Sequence, residues 1–213
     1  MTTFTSLGYD DLPELLTLLT GDEKHDRSSL STLDAIWVLY DRVLDDGDRF
    51  LLSKGHGPAA YYAVLAAQGL LPVELLEGFG GFDSPLGNHP DRVLAPGVDL
   101  STGSLGHGLP IAAGVALTGR RVFCLVGDAE LEEGSNWEAV QFAGRSRLDS
   151  LTVMVIDNHS STGGWPGGIG PRFAAEGWTA ASADGRDHDA LEGALTRRRE
   201  NAPHVVVAEV ARR

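Results

Sequence analysis

Two apolar runs, Val122 to Val126 and Leu151 to Ile156, each stop abruptly at oxygen-bearing side chains, the first at Gly127-Asp128 and the second at Asp157-Asn158. A stretch of helical character lies between them, so Arg121 to Gly163 predicts a strand–helix–strand unit. No other feature constrains the fold as much. Strands joined by a helical crossover run parallel, and parallel strands finish on one edge of a sheet. Open α/β sheets bind ligands at that edge. Asp128 and Asn158 would meet there, and a carboxylate with an amide oxygen suits a hard divalent cation that shares its shell with a diphosphate. Gly127, just before the acid, would let the backbone turn sharply. Spacing alone equally allows Asp128 to cap the following helix and Asn158 to start a turn.

The rest of the chain alternates in the same way. Leu12, Leu15, Leu16 and Leu19 recur at helical spacing, with Pro13 tolerated in a first turn. The polar stretch GDEKHDRSSLS reads as a loop, after which Ser29 or Ser31 is placed to cap a helix carrying Leu33, Ile36, Trp37 and Tyr40. Arg49 to Ser53 reads as a short buried strand that stops at Lys54-Gly55-His56-Gly57, and Pro58 to Ala67 as a helix. The span 78–103 is rich in Pro and Gly and has no sustained period; a loop of that length inside a domain is usually functional. Next, Gly103 to Gly108 opens a small-residue helix, Leu109 to Leu117, expected in a central, buried position. Beyond the opening unit come a second glycine-rich loop (Gly163 to Gly170), a helical turn (Phe173 to Gly177), a strand (Trp178 to Ala183), an amphipathic helix (Asp189 to Arg199) and a β-branched strand (His204 to Val210). Strands alternating with helices imply an α/β fold with a largely parallel central sheet flanked by helices, as one domain over 1–213.

Composition excludes several classes of function. With 17 basic against 30 acidic residues the net charge is −13, which argues against nucleic-acid binding and against an anionic membrane surface. The single cysteine, Cys124, falls in a predicted buried strand and permits neither a disulfide framework nor a cysteine-based zinc site. No apolar run approaches the roughly 20 residues of a membrane span. The first residues lack the basic-then-apolar pattern of a signal peptide, so the cytoplasm is the expected location.

Further groups are candidates for chemistry. Gly103-Ser104-Leu105-Gly106-His107-Gly108 resembles a phosphate-cradling loop at a helix start, although packing explains such glycines equally well and no Walker lysine follows. His25, His56, His89 and His188 lie in polar or strand-end segments, where imidazole can donate to a phosphate or a substrate hydroxyl or serve a structural role. No histidine pair has helical zinc-ligand spacing. Glu133 and Glu138 lie five positions apart, which is not a same-face spacing, so they read as exposed helix charges.

Five ordered motifs resemble the N-terminal, diphosphate-binding part of transketolase in its split-gene form. HDRSSLSTLDAIWVLY (25–40) is similar to the family's HPGGSLSALDILAVLY, and LLSKGHGPAAYYAVLAAQG (51–69) to LSKGHGxxALYAxLAxxG. GNHPD (87–91) corresponds to GHPE, and STGSLGHGLPIAAGVAL (101–117) to TGSLGQGLSxAxGMAL. GDAELEEGSNWEA (127–139) with IDNHSSTG (156–163) resembles the thiamine diphosphate signature GDGELQEGxxWEA followed by a DNN-type sequence.

The resemblance implies thiamine diphosphate and Mg²⁺ as cofactors, with Asp128, the Asn158 side-chain oxygen and the Ser160 carbonyl as metal ligands. It implies cofactor contacts from His56, Gly103, Leu105, Gly127, Asp128, Ala129, Glu133 and Asn158, a carboxylate network at a dimer interface from Glu133 and Glu138, and substrate contacts from His25 and His89. It further implies a separate pyrimidine-binding subunit, which supplies the glutamate that activates the cofactor, and a heterotetramer that transfers a two-carbon ketol unit from a sugar or sugar phosphate. Another thiamine diphosphate enzyme half, decarboxylating 2-oxo acids or resembling deoxyxylulose-phosphate synthase, and a non-catalytic scaffold are the rival implications. Three departures stand out. Ala129 replaces the second glycine of GDG, tolerable only with negative φ. Asp26, Arg27 and Ser28 replace Pro-Gly-Gly near the substrate mouth, and His107 replaces a glutamine.

Overall fold

Residues 7–19, 29–197 and 200–210 are described by a computed structural model of the chain. Its centre is a five-stranded sheet of β1 (Arg49–Leu52), β2 (Val122–Gly127), β3 (Leu151–Asp157), β4 (Thr179–Asp184) and β5 (His204–Glu209). The order is β1-β2-β3-β5-β4 and every pairing is parallel. The α/β sheet expected from the alternation is therefore observed.

The helices are α1 (Leu12–Leu18), α2 (Leu33–Val38, continued by a π-helical turn Leu39–Val43), α3 (Ala59–Ala67), α4 (Gly108–Ala116), α5 (Gly134–Arg145), α6 (Ile169–Ala175) and α7 (His188–Thr196). They cover both faces of the sheet. Phe50, Leu52, Phe123, Leu125, Met154, Ile156, Val206 and Ala208 pack with α1, α2, α3 and α7. Their alternate neighbours Leu51, Val122, Cys124, Val126, Val153, Val155, Val205 and Val207 pack with α4, α5 and α6. A sheet buried on both faces needs apolar residues at successive positions, which is why β2, β3 and β5 read as continuous apolar runs. The edge strand β4 alternates half-buried and exposed residues instead.

Several local expectations change. The helix fully enclosed along its length is α3, not α4: all nine residues of α3 are buried, whereas α4 buries Leu109, Ala112, Ala113 and Ala116 and leaves Ile111 and Gly114 exposed. Small residues let α4 lie close on one side without enclosing it. Helix α7 runs from His188 to Thr196; Arg199, where the expected helix ends, lies outside the described residues. Asp187 caps it, accepting from Asp189 N (3.1 Å) and Ala190 N (3.0 Å), and Arg197 is extended. The span 78–103 is irregular as expected but well anchored: Leu86, Ala95 and Val98 are buried, and Tyr62 donates to Gly87 O (3.1 Å).

Candidate functional site

The carboxyl ends of β1, β2 and β3 are adjacent, as the opening motif requires. Ser53 N and Lys54 N both donate to Leu125 O, and Asp128 N donates to Ile156 O, so the chain leaves the three strands at one level. Asp128 is 1% exposed. Its carboxylate accepts from Ser160 Oγ (2.5 Å), Ser160 N (2.7 Å) and Ser161 N (3.0 Å). The acid therefore organises the loop after β3 and does not cap the helix after β2. Glu132 holds the next part of that loop, accepting from Ser161 Oγ and Thr162 N, both at 2.7 Å. Those bonds keep its carboxyl below the usual range.

Asn158 follows β3 directly, and its Nδ2 donates to Ser31 Oγ (3.3 Å). The same oxygen accepts from Lys54 Nζ (2.9 Å). Ser31 thus does not cap α2, and Ser29 does not either: its Oγ accepts from Ala60 N (2.8 Å) in the first turn of α3. Both hydroxyls are used between elements. Lys54 is nearly enclosed, and burial lowers its ammonium to about 8 although Asp128 and Glu130 pull in the opposite direction.

Glu130 is a carboxylate the sequence did not single out. It accepts from Ser53 Oγ (2.5 Å), Gly106 N (3.1 Å) and Gly127 N (3.4 Å). Burial raises its pKa, an effect that these bonds and Lys54 partly offset. The glycine loop is accordingly tied inward: Gly106 N goes to Glu130 and Gly108 N to Ser53 Oγ (3.1 Å). Those two amides are committed to protein oxygens rather than arranged as a phosphate cradle. Gly106 has φ +79, the left-handed region that glycine suits.

A cavity of about 210 Å³ opens between these elements, lined by Lys54, His56, Leu105, Gly127, Ala129, Glu130 and Ser160. Ala129 has φ −68, so its methyl group is conformationally allowed. Gly127 lies at the end of β2 without positive φ; its missing side chain makes room for the Lys54 stem, 3.2 Å from where a Cβ would stand. That corrects the expected reason for the glycine, close packing rather than a sharp turn. The His56 and His89 rings meet edge to face, 5.7 Å between centroids, and a Cβ at Gly103 would come within 2.8 Å of His89 Cδ2. Glu133 and Glu138 are exposed, and Glu133 lies beside Gly106 rather than in the cavity wall. His25 lies outside the described residues.

Lys54, Glu130 and Ser31 are the site-forming residues that sequence reasoning passed over. Lys54 carried a signal, a cation at a strand end within KGHG. Glu130 and Ser31 carried none, because their partners come from segments far apart in the chain. The donors gathered here fit a hard cation: a carboxylate, an amide and serine oxygens are all oxygen ligands. Among the described residues no group of three or more His, Cys, Asp or Glu is placed to hold a metal, so any cation here would rest on Asp128 together with amide, hydroxyl or carbonyl oxygens.

A parallel sheet whose carboxyl edge gathers these groups around a cavity defines an α/β cofactor-binding domain. The chain belongs to the transketolase family, residues 39–210 matching its thiamine diphosphate binding domain. It is 52% identical over 224 residues to ferredoxin fas2 of Rhodococcoides fascians, a match covering 98% of this chain and 74% of that protein. A ferredoxin cluster needs several cysteine thiolates, and this chain has one cysteine, the buried Cys124, so the match does not carry such a cluster to this chain. Identity is 34% over 210 residues to one of the subunits of the apulose-4-phosphate transketolase of Actinobacillus succinogenes, covering 88% of this chain and 76% of that one. It is 34% over 206 residues to the SqwG subunit of the 6-deoxy-6-sulfo-D-fructose transketolase of Clostridium sp., covering 86% and 75%. The fold is similar to transketolase of Campylobacter jejuni, with a TM-score of 0.73 at 25% identity, over 95% of this chain and 38% of that one. Against the Leishmania mexicana enzyme the TM-score is 0.72 at 25% identity, over 92% and 36%. The chain thus spans little more than a third of these transketolases.

Proposed function

We propose that this chain is the diphosphate- and Mg²⁺-binding subunit of a two-subunit transketolase-like enzyme. A separate pyrimidine-binding subunit completes the active site, and the two kinds of subunit form a heterotetramer in the cytoplasm. The observation that carries this reading is that Asp128 and Asn158 follow adjacent parallel strands, and that Ser160, which donates to Asp128, lines a cavity with Lys54 and His56. The reaction is transfer of a two-carbon ketol unit from a ketose to an aldehyde acceptor. Two relatives named as transketolase subunits support the divided enzyme, and their names contain a phosphate and a sulfo sugar. An anionic sugar is therefore the substrate class we favour.

Thiamine diphosphate, when bound, supplies the carbon nucleophile. The protein's share is placement and charge. Asp128, Asn158 and the Ser160 carbonyl would hold Mg²⁺, whose charge would offset that of the diphosphate. His56 and Lys54 add donors at the cavity wall; Gly103, Leu105, Gly127 and Ala129 shape the space beside the cofactor. Glu133 contributes at the subunit interface. His25 and His89 donate to substrate hydroxyls and so orient the sugar. Neither a nucleic acid nor a membrane is a partner in this reading: the net charge is −13, and no helix among the described residues is long and apolar enough to cross a membrane.

Calorimetry with Mg²⁺ and thiamine diphosphate, with and without the pyrimidine-binding subunit, tests the proposal. Binding is expected to tighten with the partner, and ketol transfer to need both chains. Turnover by this chain alone would overturn the division of labour. Decarboxylation of pyruvate by the reconstituted pair, without ketol transfer, would move the enzyme to the 2-oxo acid class.

A further inference from the structure

We infer that Glu132 is a positioning residue for Ser160, holding the loop after β3 by bonds that a cation at Asp128 does not compete for. The inference rests on the function proposed above. Between Ser160 and Gly168 the loop contains Gly163, Gly164, Gly167 and Gly168, the last three at positive φ. Glycines lose the most backbone freedom on ordering, so the place of this segment depends on what holds it from outside. Asp128 holds it at two points: its carboxylate accepts from Ser160 and Ser161, and its backbone carbonyl accepts from Trp165 Nε1 at 3.1 Å. Between those points a single oxygen, Glu132 Oε1, accepts from Ser161 Oγ and Thr162 N at 2.7 Å and from Gly163 N at 3.5 Å.

Glu132 stands on a fixed turn. The carbonyls before it are taken by side chains of α5, Leu131 O by Trp137 Nε1 (2.8 Å) and Glu130 O by Asn136 Nδ2 (2.7 Å). The two acids that hold the loop differ in what a metal would do to them. An ionised carboxylate offers about four lone pairs. At Asp128, Oδ2 takes two donors and Oδ1 one, so three are in use without a cation. A cation bound to Asp128 would draw on the same lone pairs and loosen the hold on Ser160 and Ser161. The bonds to Glu132 use none of them. They keep Ser160, the proposed third ligand residue, in place while the Asp128 carboxylate serves the metal. Because all three bonds end on one oxygen, they need an acceptor at this reach and not a negative charge.

Mn²⁺ affinity of the full chain with its pyrimidine-binding subunit and thiamine diphosphate, measured by electron paramagnetic resonance, tests this. Glu132→Ala is expected to weaken Mn²⁺ by about tenfold, the low end of the loss when a group orienting a metal ligand is removed. Glu132→Gln keeps an oxygen at the same reach without the charge, and is expected to stay within about threefold of wild type, the scale of an exposed charge. Glu132→Asp keeps the charge one methylene short of the loop, and is expected to fall with Glu132→Ala. Positioning thus ranks Gln above Asp, whereas simple attraction of the cation ranks Asp above Gln. That ranking decides the matter even where Glu132→Ala does not fold. An Asp variant that binds Mn²⁺ as well as or better than the Gln variant, or an Ala variant that binds like wild type, would overturn the inference while leaving the proposed function standing. A wild-type pair that binds no Mn²⁺ with thiamine diphosphate would overturn both.

Discussion

Ser53 Oγ donates to Glu130 Oε1 at 2.5 Å while accepting from Gly108 N at 3.1 Å, so one hydroxyl at the end of β1 joins the turn after β2 to the start of α4. Glu130 in turn accepts from Gly106 N, which sets the position of Leu105 on the cavity wall. Removing the hydroxyl leaves a buried carboxylate with fewer donors and a buried amide with no acceptor. Ser53→Ala is expected to destabilise the chain by about 1–3 kcal/mol, read by urea unfolding. Because the loop is held from inside, the same variant should also weaken cofactor binding by the assembled enzyme.

Two glycines make opposite predictions. At Gly144 in α5 a Cβ would overlap the backbone oxygen of Glu176, and neither backbone can move aside cheaply. Gly144→Ala is expected to cost more than about 3 kcal/mol, as severe overpacking does. At Gly114 in α4 nothing lies within 4 Å of the added carbon. Gly114→Ala should stabilise the isolated chain by about 0.5–1 kcal/mol through helix propensity. Thermal melts of the two variants side by side distinguish backbone crowding from a general intolerance of α-helical change.

The buried Asp34 carboxylate gives a pH dependence. Burial alone would raise its pKa, but hydrogen bonds from Tyr9 (2.6 Å), His188 (3.0 Å) and Arg186 (2.5 Å), with the Arg186 charge, bring it below its ordinary 3.8. A carboxyl lowered in the folded state contributes stability that is fully present above the unfolded value and lost as pH falls through the folded one. The stability difference between wild type and Asp34→Asn is therefore expected to be constant near neutral pH and to shrink below pH 3.8. Urea unfolding at several pH values measures it; a difference that grows on acidification would contradict the assignment.

Asp128 should couple ligand binding to stability. With Mg²⁺ and thiamine diphosphate each well above its dissociation constant, the wild-type enzyme pair is expected to gain about 2–4 kcal/mol. Asp128→Asn keeps the size of the side chain but removes its charge and replaces one of its two acceptor oxygens with an amide donor. The variant should lose most of the ligand-induced rise in melting temperature, and chelation of Mg²⁺ should reduce the wild type to the same level.

Periodicity and strand endings were legible because they depend on local chemistry. The apolar runs of β2 and β3, and Asp128 and Asn158 at their ends, could be placed on one sheet edge by the rule that helical crossovers make strands parallel. The expected buried position of α4 was half right, since small residues predict a close contact but not how many sides it covers. Gly127 reads from the sequence as a turn residue, whereas its lack of a side chain admits the stem of Lys54.

By itself the sequence determined the α/β class, the parallel sheet and the oxygen-bearing side chains at the ends of β2 and β3, because each follows from neighbours a few positions apart. Tertiary structure alone decided that Asp128 takes its hydrogen bonds from Ser160 and Ser161, that Glu130 anchors the glycine loop, and that Ser31 stands between Lys54 and Asn158. Those relationships join residues remote in the chain. A buried polar atom takes whatever partner packing brings within reach, and no periodic pattern in the sequence records which one that is.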